Sequence, residues 1–323
     1  MSPPRLPRRR GRLVAAFALF AVAMLAPAFA PAPADVGEDV AGARFLPPLT
    51  RADAIRFAGE PGRVLIVTSL RREGAGWRFT RAGSPREAAA GEMVGEPSPR
   101  FYLAGTDSLG RDLAIRLLFA ARRSLAVALV AVALALLLGV AIGSAAGIAG
   151  GWGDAILMRG VDVVMSIPRL LLYLLCAALL RPSTEMLIVV LGATTWTGMA
   201  RIVRAKVMSL REGDLCLAAR SLGATPRRVL FRHLLPQIGP LLAVSAALRL
   251  ADTILLESAL GFLGLSAPPP AVSLGDIIAS GRDALANAWW IAFAPGLVIA
   301  LLVLATRASV AATLRLDEPS SSV

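Results

Sequence analysis

The chain has 323 residues, of which 56% are hydrophobic and 17% charged, with a mean hydropathy of +0.67. A water-soluble domain needs more surface charge than that, so the composition excludes one and points to an integral membrane protein. The net charge of +12 is carried almost wholly by arginine, but the arginines flank apolar runs and form no soluble basic stripe, which argues against nucleic acid as a partner.

A bilayer core of ~30 Å takes about 20 mostly apolar residues to span as a helix. Six runs meet that length, at about Leu13–Pro31, Ser124–Ala149, Val163–Leu180, Met186–Val207, Leu241–Leu263 and Trp289–Ala312. The fold class expected is therefore an all-α membrane bundle of six transmembrane helices, because a spanning segment must satisfy its own backbone hydrogen bonds.

Arg5, Arg8, Arg9, Arg10 and Arg12 precede the first run and place the N-terminus in the cytoplasm. The same stretch, followed by "AFA", also fits a cleaved secretory leader, and under either reading the next segment of the chain is exported. Residues 33–104 then form an extracytoplasmic loop. Within it "GRVLIVTSLRREGAGWRFTRAG" reads as two strands, Val64–Leu70 and Gly76–Arg81, joined by a Gly-containing turn and flanked by Pro-rich segments. This small β-element is either a docking surface or a solvated stiffener of a long loop.

"GRDLAIRLLFAARRS" reads as an amphipathic helix at the outer interface, with Arg111, Arg116, Arg122 and Arg123 snorkelling to water. In the second run Gly139, Gly143, Gly147 and Gly151 recur every four residues, a spacing that brings helix backbones close. The stripe serves either a moving interface with a partner helix or static packing within the subunit. Cys176 and Cys216 fall in a span and in an inner loop, which makes a disulfide implausible.

Charged residues inside lipid are costly and face the bundle interior. Asp162 and Arg169 are seven apart in the third run and so share a face of one helix, while Arg249 and Asp252 are three apart in the fifth, with Glu257 further along. They either line a polar route for a solute or form intramembrane ion pairs.

Enzymatic signatures are missing. Lys206, the sole lysine, sits in "RAKVM", so no Gly-Lys-Ser/Thr phosphate loop is present, and a single histidine rules out a His-x-x-x-His zinc site. Neither G-x-G-x-x-G nor G-x-S-x-G appears in its required context. The chain is thus expected to hold no cofactor or metal and to be no enzyme.

The segment "LAARSLGATPRRVLFRHLLPQ" lies between the fourth and fifth runs, on the arginine-rich cytoplasmic side. "LAARSLGA" reads as a helix ended or bent at Gly223, and Pro226 opens a second helix. This helix pair suits a knob that another protein grips.

The segment resembles the EAA loop of permease subunits in binding-protein-dependent ABC importers, with Ala218, Ala219, Gly223, Leu235 and Pro236 at the matching places. "GTDSLGRD", "GGWGDAILMRGVDVVMSIP" and "ESALGFLGLSAPPP" resemble the dipeptide/oligopeptide/nickel branch of that family. The resemblance covers the first span and about residue 105 to the C-terminus, and implies a permease domain over 105–323 following the first span in 1–32. It also implies that Glu212, Asp214, Leu217, Ala218, Ala219, Gly223, Ala224, Leu235 and Pro236 form an ATPase-docking loop, about 212–236. The usual loop glutamate falls on Leu217, so that Glu212, Asp214 or an apolar contact takes its part.

The partners implied are a second homologous permease, two cytoplasmic ABC ATPases carrying ATP and Mg, an extracytoplasmic solute-binding protein and the bilayer. The location implied is a bacterial inner membrane, multi-pass, with both termini cytoplasmic. The solute would be a peptide or a similar small polar molecule. Two other classes compete: a membrane-anchored sensor using the β-element, and an ion-coupled transporter using Asp162, Arg169 and Asp252.

Overall fold

The apolar runs between residues 113 and 314 fold as helices, and polar and proline residues decide where each one breaks. The computed structural model describes residues 37–314 except 38, 59, 75 and 90. The expected first span, Leu13–Pro31, lies outside the described residues.

Helix α1 covers Leu113–Ala149. Its N-cap Asp112 accepts bonds from the backbone N–H groups of Ala114 and Ile115, satisfying donors that have no partner within the helix. Its 37 residues reach roughly 55 Å at 1.5 Å per residue, well beyond the hydrocarbon core. The stretch read as an amphipathic helix is helical from Leu113 and runs without a break into the span as the first turns of α1. Arg116 does not snorkel: its side chain is buried against Asp107 at 2.5 Å.

Helices α2 (Gly151–Ser166) and α3 (Arg169–Leu179) replace the continuous third span. They are bent by 74°, because a residue before proline is pushed out of the helical region. Ile167, before Pro168, is extended with ψ 122°. The break also separates Asp162 from Arg169, which therefore share no helix face.

Helix α4 is Thr184–Arg211, followed by the short α5, Asp214–Ser221. Helix α6 runs from Pro226 to Phe262, α7 is Leu274–Gly281, and α8 is Trp290–Leu314. Among the described residues, four helices (α1, α4, α6 and α8) are long and apolar enough to cross a membrane, or five spans if α2 and α3 count as one.

Helices α1 and α4 lie in backbone contact along the glycine stripe. A Cβ on Gly139 would stand 2.5 Å from that of Met199, one on Gly147 would stand 2.7 Å from Val207 Cγ1, and one on Gly143 would overlap the Ala200 carbonyl. Gly151 leaves the stripe: it lies beyond the end of α1, and a Cβ there would meet nothing. The stripe thus packs within the subunit. A larger core joins α1, α6, α7 and α8 through Leu125, Ile254, Ile277 and Ile291, all fully buried.

The strands expected at 64–70 and 76–81 form the middle of a five-stranded antiparallel sheet. Its members are β1 (Thr50–Phe57), β2 (Glu60–Glu73), β3 (Gly76–Arg81), β4 (Ser84–Ala89) and β5 (Ser98–Tyr102), in the order β4-β3-β2-β1-β5. The long β2 pairs with both β1 and β3, and its register with β3 shifts between Thr68 and Arg71. Two small clusters fill the sheet, one around Ala52, Ile66 and Tyr102 and one around Ile55, Val67 and Phe79.

A few buried polar groups tie the segment before the sheet to it, and the end of the sheet to the bundle. Asp39 accepts from Ile66 N–H at 3.0 Å and from the Arg81 guanidinium at 2.9 Å. Burial pushes its carboxyl pKa up, but the bonds from Arg81, Ile66 and Gly42 outweigh that and hold it below the usual range. Thr106 Oγ accepts from Leu46 N–H at 2.8 Å and donates to the Ala43 carbonyl. The Thr106 carbonyl accepts from Trp290 Nε1 at 3.2 Å, which links the sheet to the first residue of α8.

Asp107 is buried beside it. The carboxylate accepts the backbone N–H groups of Leu109 and Arg111, and bonds to Arg111 Nε at 2.7 Å and to Arg116 Nη1. "GTDSLGRD" is therefore a folded turn that sets where α1 begins.

Candidate functional site

Helix α5 and the start of α6 make an exposed knob at one end of the bundle. Helix α5 ends in a turn in which Ala224 N–H bonds the Ala219 carbonyl at 3.0 Å and Gly223 N–H bonds that of Arg220 at 2.9 Å. This double bond pattern needs a left-handed residue after the helix, which glycine adopts at least cost. Gly223 supplies it with φ +81°. A Cβ there would meet nothing within 4 Å, so the demand for glycine within this chain is conformational, and no packed contact surrounds it. Thr225 then caps α6, accepting from Arg228 N–H at 3.4 Å, with Pro226 at its first position.

The second helix of the loop is not a separate piece. From Pro226 it runs into the apolar part of α6 through one wider turn, Leu230–Leu234, in which Leu235 N–H reaches back to the Leu230 carbonyl. Pro236 has no N–H, and its ring opposes the carbonyl four residues earlier. An inserted residue of this kind relieves such a clash without breaking the helix.

One face of the knob holds to the bundle. Cys216, Val229, Leu234 and Ile238 are buried against Val203 and Val207 of α4, with Ala219 and Ala224 at the edge. The other face leaves Leu215, Leu217 and Phe231 more than half or about half exposed and Leu222 90% exposed. Ala218, Pro236 and Asp214 are exposed as well, and Leu235 is half-buried. The side chain of Glu212 is 75% exposed and 3.8 Å from Arg211.

The charged residues within the bundle are arranged differently from their spacing along the chain. Asp162 bonds Arg201 of α4 at 2.6 Å, and Arg169 stands exposed beyond the α2–α3 break. Arg204 grips Asp154 of α2 through Nε and Nη2, and Arg211 Nη1 donates to the Gly147 carbonyl in the last turn of α1 at 2.9 Å. Sequence reasoning missed these last two ties, since the partners are far apart in the chain. Asp154, a carboxylate within "GGWGDAILMRG", was the visible signal of the first, and a bond to a backbone carbonyl leaves none.

Glu257 is fully buried, with Ser124 Oγ donating to Oε2 at 2.7 Å. Arg249 and Asp252 approach only to 3.9 Å, and the Asp252 side chain is 56% exposed. The Arg249 guanidinium lies instead over Gly198, where a Cβ would stand 2.6 Å from Nη2. A pair this long and open couples weakly. Losses of thermal stability in detergent for Arg249→Ala and Asp252→Ala should therefore add to within about 0.5 kcal/mol. A double variant clearly more stable than either single one would show a tight pair.

An apolar helical bundle with an exposed knob that continues directly into one of its candidate spans is the build of an integral membrane protein. Comparison with known proteins makes the class specific. The family model described as binding-protein-dependent transport system inner membrane component matches residues 139–315. A candidate peptide transport system permease protein of Brucella suis is 40% identical over 226 residues, 69% of this chain and 75% of that protein. The di/tripeptide transport system permease protein DppC of Pseudomonas aeruginosa is 38% identical over 204 residues, 63% of this chain and 67% of that one. Among solved structures, a chain of the inward-facing MetNI methionine ABC transporter is 21% identical with a TM-score of 0.49, covering 59% of this chain and 93% of that chain.

The chain belongs to the family of binding-protein-dependent transport system inner membrane components. It is a membrane protein and a permease subunit of an ABC importer.

Proposed function

We propose that this permease forms half of a pathway for peptides or similar small polar solutes, in company with a second, homologous permease. Two cytoplasmic ATPases bind the ATP and Mg, and an extracytoplasmic solute-binding protein delivers the solute. The peptide assignment rests on the names of its relatives.

The observation that carries the coupling is the continuity of α6. Pro226 and Phe231 belong to the same helix as the buried Ile254, so a push on the knob moves the span without an intervening hinge. Leu217, where the family has a glutamate, is 50% exposed beside Leu215 and Leu222. An apolar contact with the ATPase takes the place of an ionic one, with Ala218, Ala219, Gly223 and Ala224 setting the shape of the knob. Glu212 and Asp214 stand exposed at its entrance, and Leu235 and Pro236 at its join with the span.

Purifying the tagged chain from its own membranes should bring an ATPase and a second permease with it, and uptake should stop when ATP is depleted but survive a protonophore. Recovery of the chain alone, with uptake abolished by the protonophore, would favour the ion-coupled transporter. A chain that binds a ligand at the sheet and transports nothing would favour the sensor.

The orientation proposed puts both termini and the knob in the cytoplasm and the sheet outside. Cysteines introduced at Ser98 and Asp283, both exposed, should react with an impermeant thiol reagent added to sealed cells, and one at Thr225 should not. Ser273 is unsuitable, being fully buried as the cap of α7. Labelling of Thr225 in sealed cells would reverse the topology.

A further inference from the structure

We propose that the end of the β-sheet nearest the bundle is seated in the headgroup layer of the bilayer, with Leu49, Phe101 and Leu103 as its apolar contacts. These residues are 65%, 52% and 60% exposed, and they lie together. Leu49 N–H bonds the Leu103 carbonyl at 3.3 Å, and Phe101 stands opposite Arg51 in the β1–β5 register. Side chains alternate along a strand, so Phe101 and Leu103 share the face opposite the buried Tyr102. Leu49 also holds a left-handed φ of +63°, a costly conformation for a bulky residue.

The depth of the patch identifies the cover. Leu103 lies two residues before Gly105, and a Cβ on Gly105 would stand 2.5 Å from the Leu46 carbonyl and 2.9 Å from Trp290 Nε1. Thr106 bonds the same indole. Trp290 opens α8, Trp289 beside it is exposed, and α1 begins a few residues after the patch. Paired tryptophans at the end of a span mark the membrane–water boundary. Leu49, Phe101 and Leu103 are thus held beside the start of α8, at the level its tryptophans mark. Apolar side chains exposed there, rimmed by the exposed cations Arg44 and Arg51, match acyl-chain ends below and phosphates above. The opposite edge strand, β4, is highly exposed but carries Pro85, Arg86 and Glu87, residues that suit water.

The test uses the ATPase-bound complex in nanodiscs of phosphatidylethanolamine and phosphatidylglycerol, with Cys176→Ala and Cys216→Ala. A nitroxide is attached at Phe101→Cys, at Leu103→Cys or at Arg86→Cys. Collision with oxygen, which concentrates in lipid, is compared with collision with a water-soluble nickel chelate. The oxygen-to-chelate ratio should exceed one at positions 101 and 103 and fall below one at 86. A ratio below one at both 101 and 103 would place the patch in water. Shielding from both reagents would assign it to a protein partner. Either result overturns the proposal, and the two labelled positions guard against a local distortion at one of them.

Discussion

Replacing Gly223 with valine should lower ATPase recovery with the purified permease about tenfold and abolish most uptake, while the chain still reaches the membrane at its normal level. The backbone there is left-handed, at φ +81°, and a residue with a Cβ costs roughly 1–2 kcal/mol in that region. A cost of about 1.4 kcal/mol is a factor of ten in an equilibrium. Because no atom of the chain stands within 4 Å of a Cβ at this position, crowding inside the subunit is not the cause. Asparagine tolerates the left-handed region, so Gly223→Asn should keep most of the activity. If asparagine were as damaging as valine, the partner would be packing against the glycine itself. If valine transported normally, this turn would not shape the coupling knob.

Asp107→Ala is expected to be the most destabilising single change outside the spans. Its carboxylate is 1% exposed and serves both Arg111 and Arg116, together with two backbone N–H groups. Breaking a buried ion pair from one side costs ~3–5 kcal/mol, because the remaining charge loses its partner in a place water does not reach. For a protein of this size that lowers the unfolding temperature by roughly 10 °C. Asp107→Asn keeps an oxygen for the turn and should fall between alanine and the parent. Thermal unfolding of the purified complex decides it: a shift under about 2 °C for alanine would mean that the arginines find other support.

Much of the bundle was legible because hydropathy over a span-length window is set by the chain alone. The α2–α3 break was also legible, in Pro168, but the apolar run around it masked the signal. Three of the five strands were not. Thr50–Phe57, Ser84–Ala89 and Ser98–Tyr102 carry Pro, Ala, Arg and Glu where strands favour branched and aromatic residues. Strand β1 forms on β2, β4 on β3 and β5 in turn on β1, pairings that no local pattern reports. At the knob, the turn at Gly223 could be read from residue type, whereas the wide turn before Pro236 could not. The ion pairs show the same divide: the i,i+3 spacing of Arg249 and Asp252 suggested a bond that is long, and Arg204–Asp154, fifty residues apart, left no trace in spacing.

The contact of α1 with α4 has a mechanical meaning. Side chains between two helices act as springs, since each can change rotamer under load, and a joint made of them absorbs displacement as well as passing it on. Along Gly139, Gly143 and Gly147 few such springs intervene, because the small side leaves backbone against backbone or Cβ. Arg204 on Asp154 and Arg211 on the Gly147 carbonyl then resist shear at one end of the pair. The two helices form a joint of low compliance, so a displacement delivered at the end of α4, where the knob begins, arrives along α1 with little of its amplitude lost.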